Sequence, residues 1–182
     1  GVNLITGGYM KRFCLAMLAL SVCAGAQAAS EEVKMNLVTS GGIGQSIGTV
    51  KITETDKGLE FAPDLKALPP GEHGFHVHAK GSCEPAIKDG KPMPAEAAGG
   101  HLDPHNTGKH EGPEGAGHTG DLPVLVVNND GKATDAVIAP RLKKIDEVKD
   151  KALMIHVGGD NMSDNPKPLG GGGARYACGV IR

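Results

Sequence analysis

Hydrophobic and polar residues alternate along several short segments of the chain. In residues 33–38 (Val-Lys-Met-Asn-Leu-Val) the apolar positions mostly recur every second residue, and a period of two predicts a β-strand with one buried face. Other apolar segments bounded by turn-forming residues predict further strands. The predicted strands are 33–38, 46–53, 59–62, 74–79, 122–127, 133–139, 152–157 and 174–181. About eight short strands of this kind indicate an all-β antiparallel sandwich or barrel.

Polar turns separate these strands. Residues 55–58 (Thr-Asp-Lys-Gly) and 128–131 (Asn-Asn-Asp-Gly) each predict a hairpin between the flanking strands, and 143–151 predicts a short helix. Residues 80–120, in contrast, show no regular pattern. A loop of about forty residues is uncommon in a compact domain unless function, a disulfide or a metal orders it.

The N-terminal part has the pattern of a secretory signal. Met10-Lys11-Arg12 is followed by an apolar run over 13–22 and by Ala26-Gln27-Ala28, which together predict a signal peptide over 10–28 that is cleaved after Ala28. The run is too short to cross a bilayer. A buried core helix and lipid attachment at Cys23 are the alternatives. We expect residues 1–9 to be upstream residues or a cloning remnant, and residues 29–182 to form one mature exported domain.

Composition narrows the possible functions. The chain has 182 residues with Gly 28 and Pro 12, which suits one loop-rich β domain. Aromatic residues make up 3% and the formal net charge is −2, so neither base stacking nor a basic surface supports nucleic-acid binding. After processing we expect no membrane association. The few aromatic residues favour a monomer, because interface cores are usually enriched in them, and a homodimer is the alternative.

Two cysteines, Cys83 and Cys178, remain after the predicted cleavage. In an exported protein, two cysteines far apart in sequence favour a single disulfide. Two thiolate metal ligands are the alternative, which is weaker because there is no CxxC spacing and the histidines cluster elsewhere.

The eight histidines point to metal chemistry. His76 and His78 flank Val77 in a predicted strand, so their imidazoles lie on one face, where they could bind one copper or zinc ion. The other candidate ligands follow in the irregular segment and in a late strand: His101, His110, His118, Asp121 and His156. Six histidines and one aspartate are too many for one tetrahedral ion and enough for two ions if one imidazole is shared. The spacing therefore predicts a binuclear histidine-rich site.

Four motifs resemble the copper/zinc superoxide dismutase family, specifically its bacterial periplasmic branch. They are Gly74-Phe75-His76-Val77-His78, Gly99-Gly100-His101-Leu102-Asp103-Pro104, Gly117-His118-Thr119-Gly120-Asp121-Leu122 and Ala177-Cys178-Gly179-Val180-Ile181. The resemblance covers essentially the whole mature chain in order. It implies an immunoglobulin-like Greek-key β-sandwich or barrel with long metal-binding and disulfide loops. It also implies one copper and one zinc ion per subunit.

Carried over by position, the resemblance implies a role for each candidate residue. Copper is expected on His76, His78, His101 and His156, and zinc on His101, His110, His118 and Asp121, with His101 as the bridge. Asp160 is expected to accept hydrogen bonds from His76 and His110, since such outer contacts orient ligand rings. Arg175 is expected to guide the substrate anion, and Cys83 and Cys178 to form the intrasubunit disulfide.

The implied activity is the dismutation of superoxide to oxygen and hydrogen peroxide, with copper cycling between Cu(II) and Cu(I) and zinc in a structural role. His101 is expected to deliver a proton to the reduced oxygen, and the activity would protect the periplasm from superoxide. A periplasmic copper-binding or copper-delivery module and a zinc hydrolase are the alternatives. We expect His73 to be a surface or outer-contact residue and His105, Lys88 and Lys91 to be solvated. Assistance to zinc by His105 and steering of superoxide by the two lysines are the alternatives.

Overall fold

The computed structural model of the chain describes residues 1–2, 21 and 23–182, so the predicted signal segment 10–28 lies mostly outside the described residues. Within the described part the regular secondary structure consists of strands and short 3₁₀ turns, and no helix there is long and apolar enough to cross a membrane. The strands are β1 (Ser30–Thr39), β2 (Gly42–Thr55), β3 (Gly58–Leu65), β4 (Gly71–His73), β5 (Phe75–His78), β6 (Ala86–Lys88), β7 (Lys91–Met93), β8 (Leu125–Val127), β9 (Val137–Ala139), β10 (Ala152–His156) and β11 (Arg175–Val180), with single 3₁₀ turns at Glu96–Ala98, Ile145–Glu147 and Pro168–Gly171.

One curled antiparallel sheet dominates the fold. Its strand order is β5-β10-β11-β1-β2-β3-β9. Val33 and Met35, alternate residues of β1, are completely buried, because the pleat directs every second side chain to the core face. The separate pair β4–β8 adds Leu125 and Val127 to the same apolar core. The predicted all-β antiparallel fold is confirmed.

The predicted hairpin at 128–131 is wrong, although the turn itself forms. The Asn128 side chain accepts the N–H groups of Asp130 and Lys132, each at 3.0 Å. However, β8 pairs with β4 and β9 pairs with β3. Turn-forming residues specify the local reversal of the chain and do not specify the partner of each strand.

The segment 80–120 is less irregular than its sequence predicts. It contains the short β6–β7 hairpin and the 3₁₀ turn Glu96–Ala98, and a disulfide joins Cys83 to Cys178 in β11. Cys83, Ala95 and Ala98 form a small second core with residues of β10 and β11. The disulfide and this core therefore attach the segment to the outer face of the sheet. The helix predicted over 143–151 is reduced to the turn Ile145–Glu147.

Candidate metal centre

β5 and β10 bring three of the predicted ligands together. Along β5, Val77 packs into the main core, so the alternating His76 and His78 face the opposite side of the strand. β10 pairs antiparallel with β5, placing Met154 opposite His76. His156 ends β10 and therefore lies beside both imidazoles.

The long loop returns along the other edge of β5. Isolated backbone bridges pair His76 with Asp121 and His78 with His101. Val77 also bonds to the loop through both of its backbone groups. Its N–H donates to the Gly120 carbonyl at 2.8 Å, and its carbonyl accepts the Leu102 N–H at 2.8 Å. The backbone of the loop is thus attached to the strand at the positions of the predicted ligands.

Four imidazoles form the first ligand group, with one donor atom from each lying within 4.8 Å of the others: His76, His78, His101 and His156. In two of these rings Nδ1 donates to a backbone carbonyl, His78 to Gly99 at 2.8 Å and His156 to Gly173 at 3.1 Å. Their Nε2 atoms lie 3.3 Å from each other. Backbone acceptors thus engage the outer nitrogens and orient the inner ones towards a common point.

Asp160 joins this group to the second one. One of its carboxylate oxygens accepts from Nε2 of His76 at 2.7 Å and the other accepts from Nε2 of His110 at 2.8 Å. Both side chains of the His76–Asp160 pair are fully buried. The carboxylate therefore orients two rings at once, which is the arrangement that the sequence predicts for Asp160.

The second ligand group surrounds Asp121. Its members within 4.8 Å of one another are His76, His101, His110 and Asp121. Asp121 lies 2.7 Å from Nδ1 of His101, 2.8 Å from Nδ1 of His110 and 3.1 Å from Nδ1 of His118. His118 is outside the 4.8 Å group, but its Nδ1 faces the same carboxylate.

His101 belongs to both groups. Its Nδ1 contacts Asp121, and its Nε2 is buried and has no hydrogen-bond partner in the described part of the chain. Nδ1 of His76 is likewise buried and without a partner. Since a buried polar atom without a partner is costly, these nitrogens fit a site that a bound metal ion completes.

Burial and charge set the protonation of the rings. Burial lowers the pKa of His101 to about 4 and holds the pKa values of His78 and His156 well below the usual value. Neutral imidazoles of this kind can bind metal ions. Burial would also lower the pKa of His110, but its bonds to Asp121 and Asp160 raise that pKa to about 9.

A cleft of about 280 Å³ reaches His78, His101 and His156 from the surface, and Arg175 lines it. The Arg175 guanidinium donates to the carbonyls of Ala95 at 2.8 Å and Gly99 at 2.6 Å. The disulfide-linked segment therefore fixes this cation beside the first ligand group.

Glu96, which lines the cleft, escapes sequence reasoning. Its carboxylate lies 3.8 Å from the Arg175 guanidinium and 3.9 Å from the Lys88 ammonium, and a single acidic residue in a loop gives no signal for such contacts. Of the two roles expected for His73, the structure supports the outer contact, because the ring is buried and contacts two backbone carbonyls. His105, by contrast, is exposed, as predicted.

A family profile and individual sequences similar to this chain agree with each other. A family profile described as copper/zinc superoxide dismutase (SODC) matches residues 46–181. The superoxide dismutase (Cu-Zn) of Escherichia coli (strain K12) is 83% identical over 173 residues, which cover 95% of this chain and 100% of that protein.

Solved structures agree with the sequences. The Cu/Zn superoxide dismutase from Brucella abortus has a TM-score of 0.84 and 58% identity, covering 85% of this chain and 100% of that one. The solution structure of the monomeric copper, zinc superoxide dismutase from Salmonella enterica has a TM-score of 0.77 and 80% identity over the same shares.

Proposed function

This chain belongs to the copper/zinc superoxide dismutase family, and from that premise we propose which of its residues carry the dismutation of superoxide. Copper is bound by the four rings of the first group, His76, His78, His101 and His156. The outer nitrogens of His76, His78 and His156 have protein partners, so one nitrogen of each ring is available. Imidazole nitrogen is a suitable ligand for copper.

Zinc is bound by His101, His110, His118 and Asp121. His76 also lies near this second group, but its single available nitrogen already serves the first group. The fourth ligand is therefore His118, whose Nδ1 faces the Asp121 carboxylate at 3.1 Å. Three imidazoles and one carboxylate make a closed tetrahedral donor set, which is typical of structural zinc.

When bound, copper supplies the one-electron chemistry by which two superoxide ions and two protons become oxygen and hydrogen peroxide, and zinc is redox-inert. Arg175 binds the anion in the cleft, because its guanidinium stays charged at every physiological pH. Nε2 of His101, which has no hydrogen-bond partner in the described residues, would face copper or, when it does not, take up a proton from solvent and deliver it to the reduced oxygen. Asp121 keeps the ring of His101 in orientation through the 2.7 Å contact to Nδ1.

His76 and His101 both belong to the two ligand groups, but Nε2 of His76 is bonded to Asp160. His101 has one nitrogen facing Asp121 and the other buried without a hydrogen-bond partner in the described residues, and this carries the assignment. The test is superoxide consumption by metal-free protein reconstituted with copper and zinc, with zinc alone and with neither. We expect activity only where copper is present. Superoxide consumption with zinc alone would contradict the assignment of the electron transfer to copper.

We also propose that the protein is exported and protects the periplasm from superoxide. The charged, apolar and small-residue parts of 10–28 support this. Residues 29–182 then form the mature enzyme. Intact mass of protein released by osmotic shock tests the proposal, with Ala29 as the expected first residue. Protein that stays with the spheroplasts would contradict export.

The mature enzyme acts as a monomer on superoxide, without nucleic-acid or membrane partners. The name of the 80% identical Salmonella structure describes that protein as monomeric. In this chain Phe61 and Phe75 are completely buried in the core, which leaves few aromatic side chains for an interface. Sedimentation equilibrium should give the mass of one mature chain, and a mass of twice that value would show a homodimer.

A further inference from the structure

One segment of the chain accepts two hydrogen bonds from His110. The ring Nε2 donates to Asp160 at 2.8 Å, and the backbone N–H donates to Oδ2 of Asp164 at 3.0 Å. We call residues 160–170, which supply both carboxylates, the carboxylate loop. Nδ1 of the same ring faces Asp121 at 2.8 Å. A second bond on the backbone also fixes the Cα atom, so the direction of Nδ1 depends on both carboxylates.

The other oxygen of Asp164 reaches the wall of the substrate cleft. Oδ1 accepts the backbone N–H of Leu169 at 2.9 Å. Leu169 has a φ of 54°, a left-handed conformation that a leucine rarely adopts, and it lines the cleft together with His101 and Arg175. The bond from Asp164 helps to hold Leu169 in this conformation.

The carboxylate loop is closed by its own hydrogen bonds. The N–H of Asn161 donates to the Gly170 carbonyl at 3.1 Å, and the N–H of Gly170 donates to the Ser163 carbonyl at 2.8 Å. The side chain of Asn161 also donates to the Asn165 carbonyl at 2.7 Å. A loop braced in this way transmits a displacement at one end to the other.

We propose that Asp164 is a positioning residue that joins the zinc ligand His110 to the wall of the substrate cleft at Leu169. Asp164 touches neither the metal ligand atoms nor the substrate and acts through two backbone N–H groups. Binding of zinc at His110 thereby orders the cleft wall at Leu169. Without Asp164, zinc binding no longer affects the order of that wall. This inference rests on the zinc assignment made under Proposed function.

The test uses the variants Asp164→Ala and Asp164→Asn in the full mature chain. Asp164→Ala removes both acceptors, whereas Asp164→Asn keeps the shape and one acceptor oxygen. The matched control is Asp135→Ala, because Asp135 is exposed and precedes β9, at the opposite edge of the main sheet from β5. All proteins are compared free of metal and after titration with zinc alone.

The first measurement is the zinc dissociation constant from competition with a chelator. We expect Asp164→Ala to raise it about 10-fold or more, as loss of an outer contact to a metal-bound histidine does, with Asp164→Asn between Asp164→Ala and wild type. Asp135→Ala should match wild type. A purely structural role would lower the melting temperature of the metal-free protein and leave the dissociation constant unchanged, and that result would overturn the proposal.

The second measurement is hydrogen exchange at the Leu169 amide. In wild type, zinc should slow this exchange, and in Asp164→Ala the slowing should be lost. Zinc-dependent slowing that persists in Asp164→Ala would overturn the coupling. If Asp121→Ala binds zinc as tightly as wild type, the zinc assignment fails and this inference fails with it. If Asp121→Ala binds zinc more weakly but Asp164→Ala binds it as tightly as wild type, only this inference is refuted.

Discussion

The imidazole of His73 lies 2.8 Å from the backbone carbonyl oxygen of His156, with Nδ1 as the contacting atom. The other nitrogen of the ring, Nε2, lies 2.7 Å from the carbonyl of Pro69. His73 is only 3% exposed. The ring therefore connects the end of β10, where a copper ligand is proposed, to the turn before β4.

Replacing His73 with phenylalanine should keep a planar ring, although a larger one, and remove both polar atoms. The buried contact between Nδ1 and the His156 carbonyl is lost, and a buried carbonyl without a donor costs about 1–3 kcal/mol, so we expect a lower free energy of unfolding and weaker copper binding through His156. Urea denaturation of the metal-free protein and copper titration measure the two effects. His105→Phe, at an exposed position, is the control, and equal stability of the two variants would contradict the prediction.

Replacing Arg175 with alanine should lower kcat/KM by about tenfold or more at low salt, because the cleft loses its fixed cation. Both metals should remain bound, since Arg175 contacts backbone carbonyls and no proposed ligand atom. Arg175→Lys should retain part of the rate, as an ammonium replaces the planar guanidinium. Pulse radiolysis at two ionic strengths measures this, with the exposed Arg182→Ala as control. A wild-type rate for Arg175→Ala would contradict the proposed role of Arg175 in guiding the anion.

Asp121→Ala should weaken zinc binding and also impair copper-dependent activity. The carboxylate contacts Nδ1 of His101 and of His118, so its loss releases the shared ring as well as a zinc ligand. Chelator competition and activity are measured on the same preparation. The exposed turn residue Asp130 provides the control variant Asp130→Ala. Unchanged zinc affinity in Asp121→Ala would show that the zinc ligands are wrongly assigned.

Reducing the Cys83–Cys178 disulfide should lower the melting temperature and the activity together. The bond closes a loop with a sequence separation of 95, for which the chain-entropy model gives up to about 4–5 kcal/mol. The same segment supplies the Ala95 carbonyl that binds Arg175. Thermal melts and assays of oxidised and reduced protein measure both effects, with the Cys83→Ala/Cys178→Ala double variant unaffected by reductant. Identical melts of oxidised and reduced wild type would refute the stabilising role.

Gly170→Ala should disturb both ligand groups through Asp160. A Cβ atom at residue 170 would overlap the Asp160 carboxylate and lie 2.9 Å from Nε2 of His110. We expect weaker binding of zinc and an altered copper spectrum. Gly171→Ala is a matched control, because its φ of 77° is similar while its nearest side chain would be 3.8 Å away. If the two variants lose metal equally, backbone strain and not displacement of Asp160 is the cause.

Periodicity predicts most of the sheet but not all of its pairing. Val33 and Met35 in β1 and Val50 and Ile52 in β2 alternate clearly with polar residues, because the face that carries them is buried. β6 and β7 are only three residues each, and β7 contains Pro92, so the pattern is too short to detect. These strands form because the disulfide and the small second core hold their segment against the sheet. Such long-range constraints leave no periodic signal.

The candidate site, like the sheet, could be predicted from the sequence only in part. Its histidines, Asp121 and Arg175 could be predicted, because metal-ligating and charged side chains are visible in the sequence. The outer contacts made by Ala95, Gly99 and Gly173 could not, since every residue carries a carbonyl and only the fold decides which one is used. The ligand assignment to each metal stays a prediction until the binding experiments are done.

The Gly99 carbonyl accepts from Nδ1 of His78 at 2.8 Å and from Arg175 at 2.6 Å. One peptide group therefore orients both a ring of the first ligand group and the Arg175 guanidinium. Residue 99 has a φ of 71° and a ψ of −159°, a combination that is essentially restricted to glycine. Any substitution there would shift both partners in one step. A substitution at residue 99 that changed the capture of the anion would therefore also change the binding of copper, so the two properties cannot be altered independently at this residue.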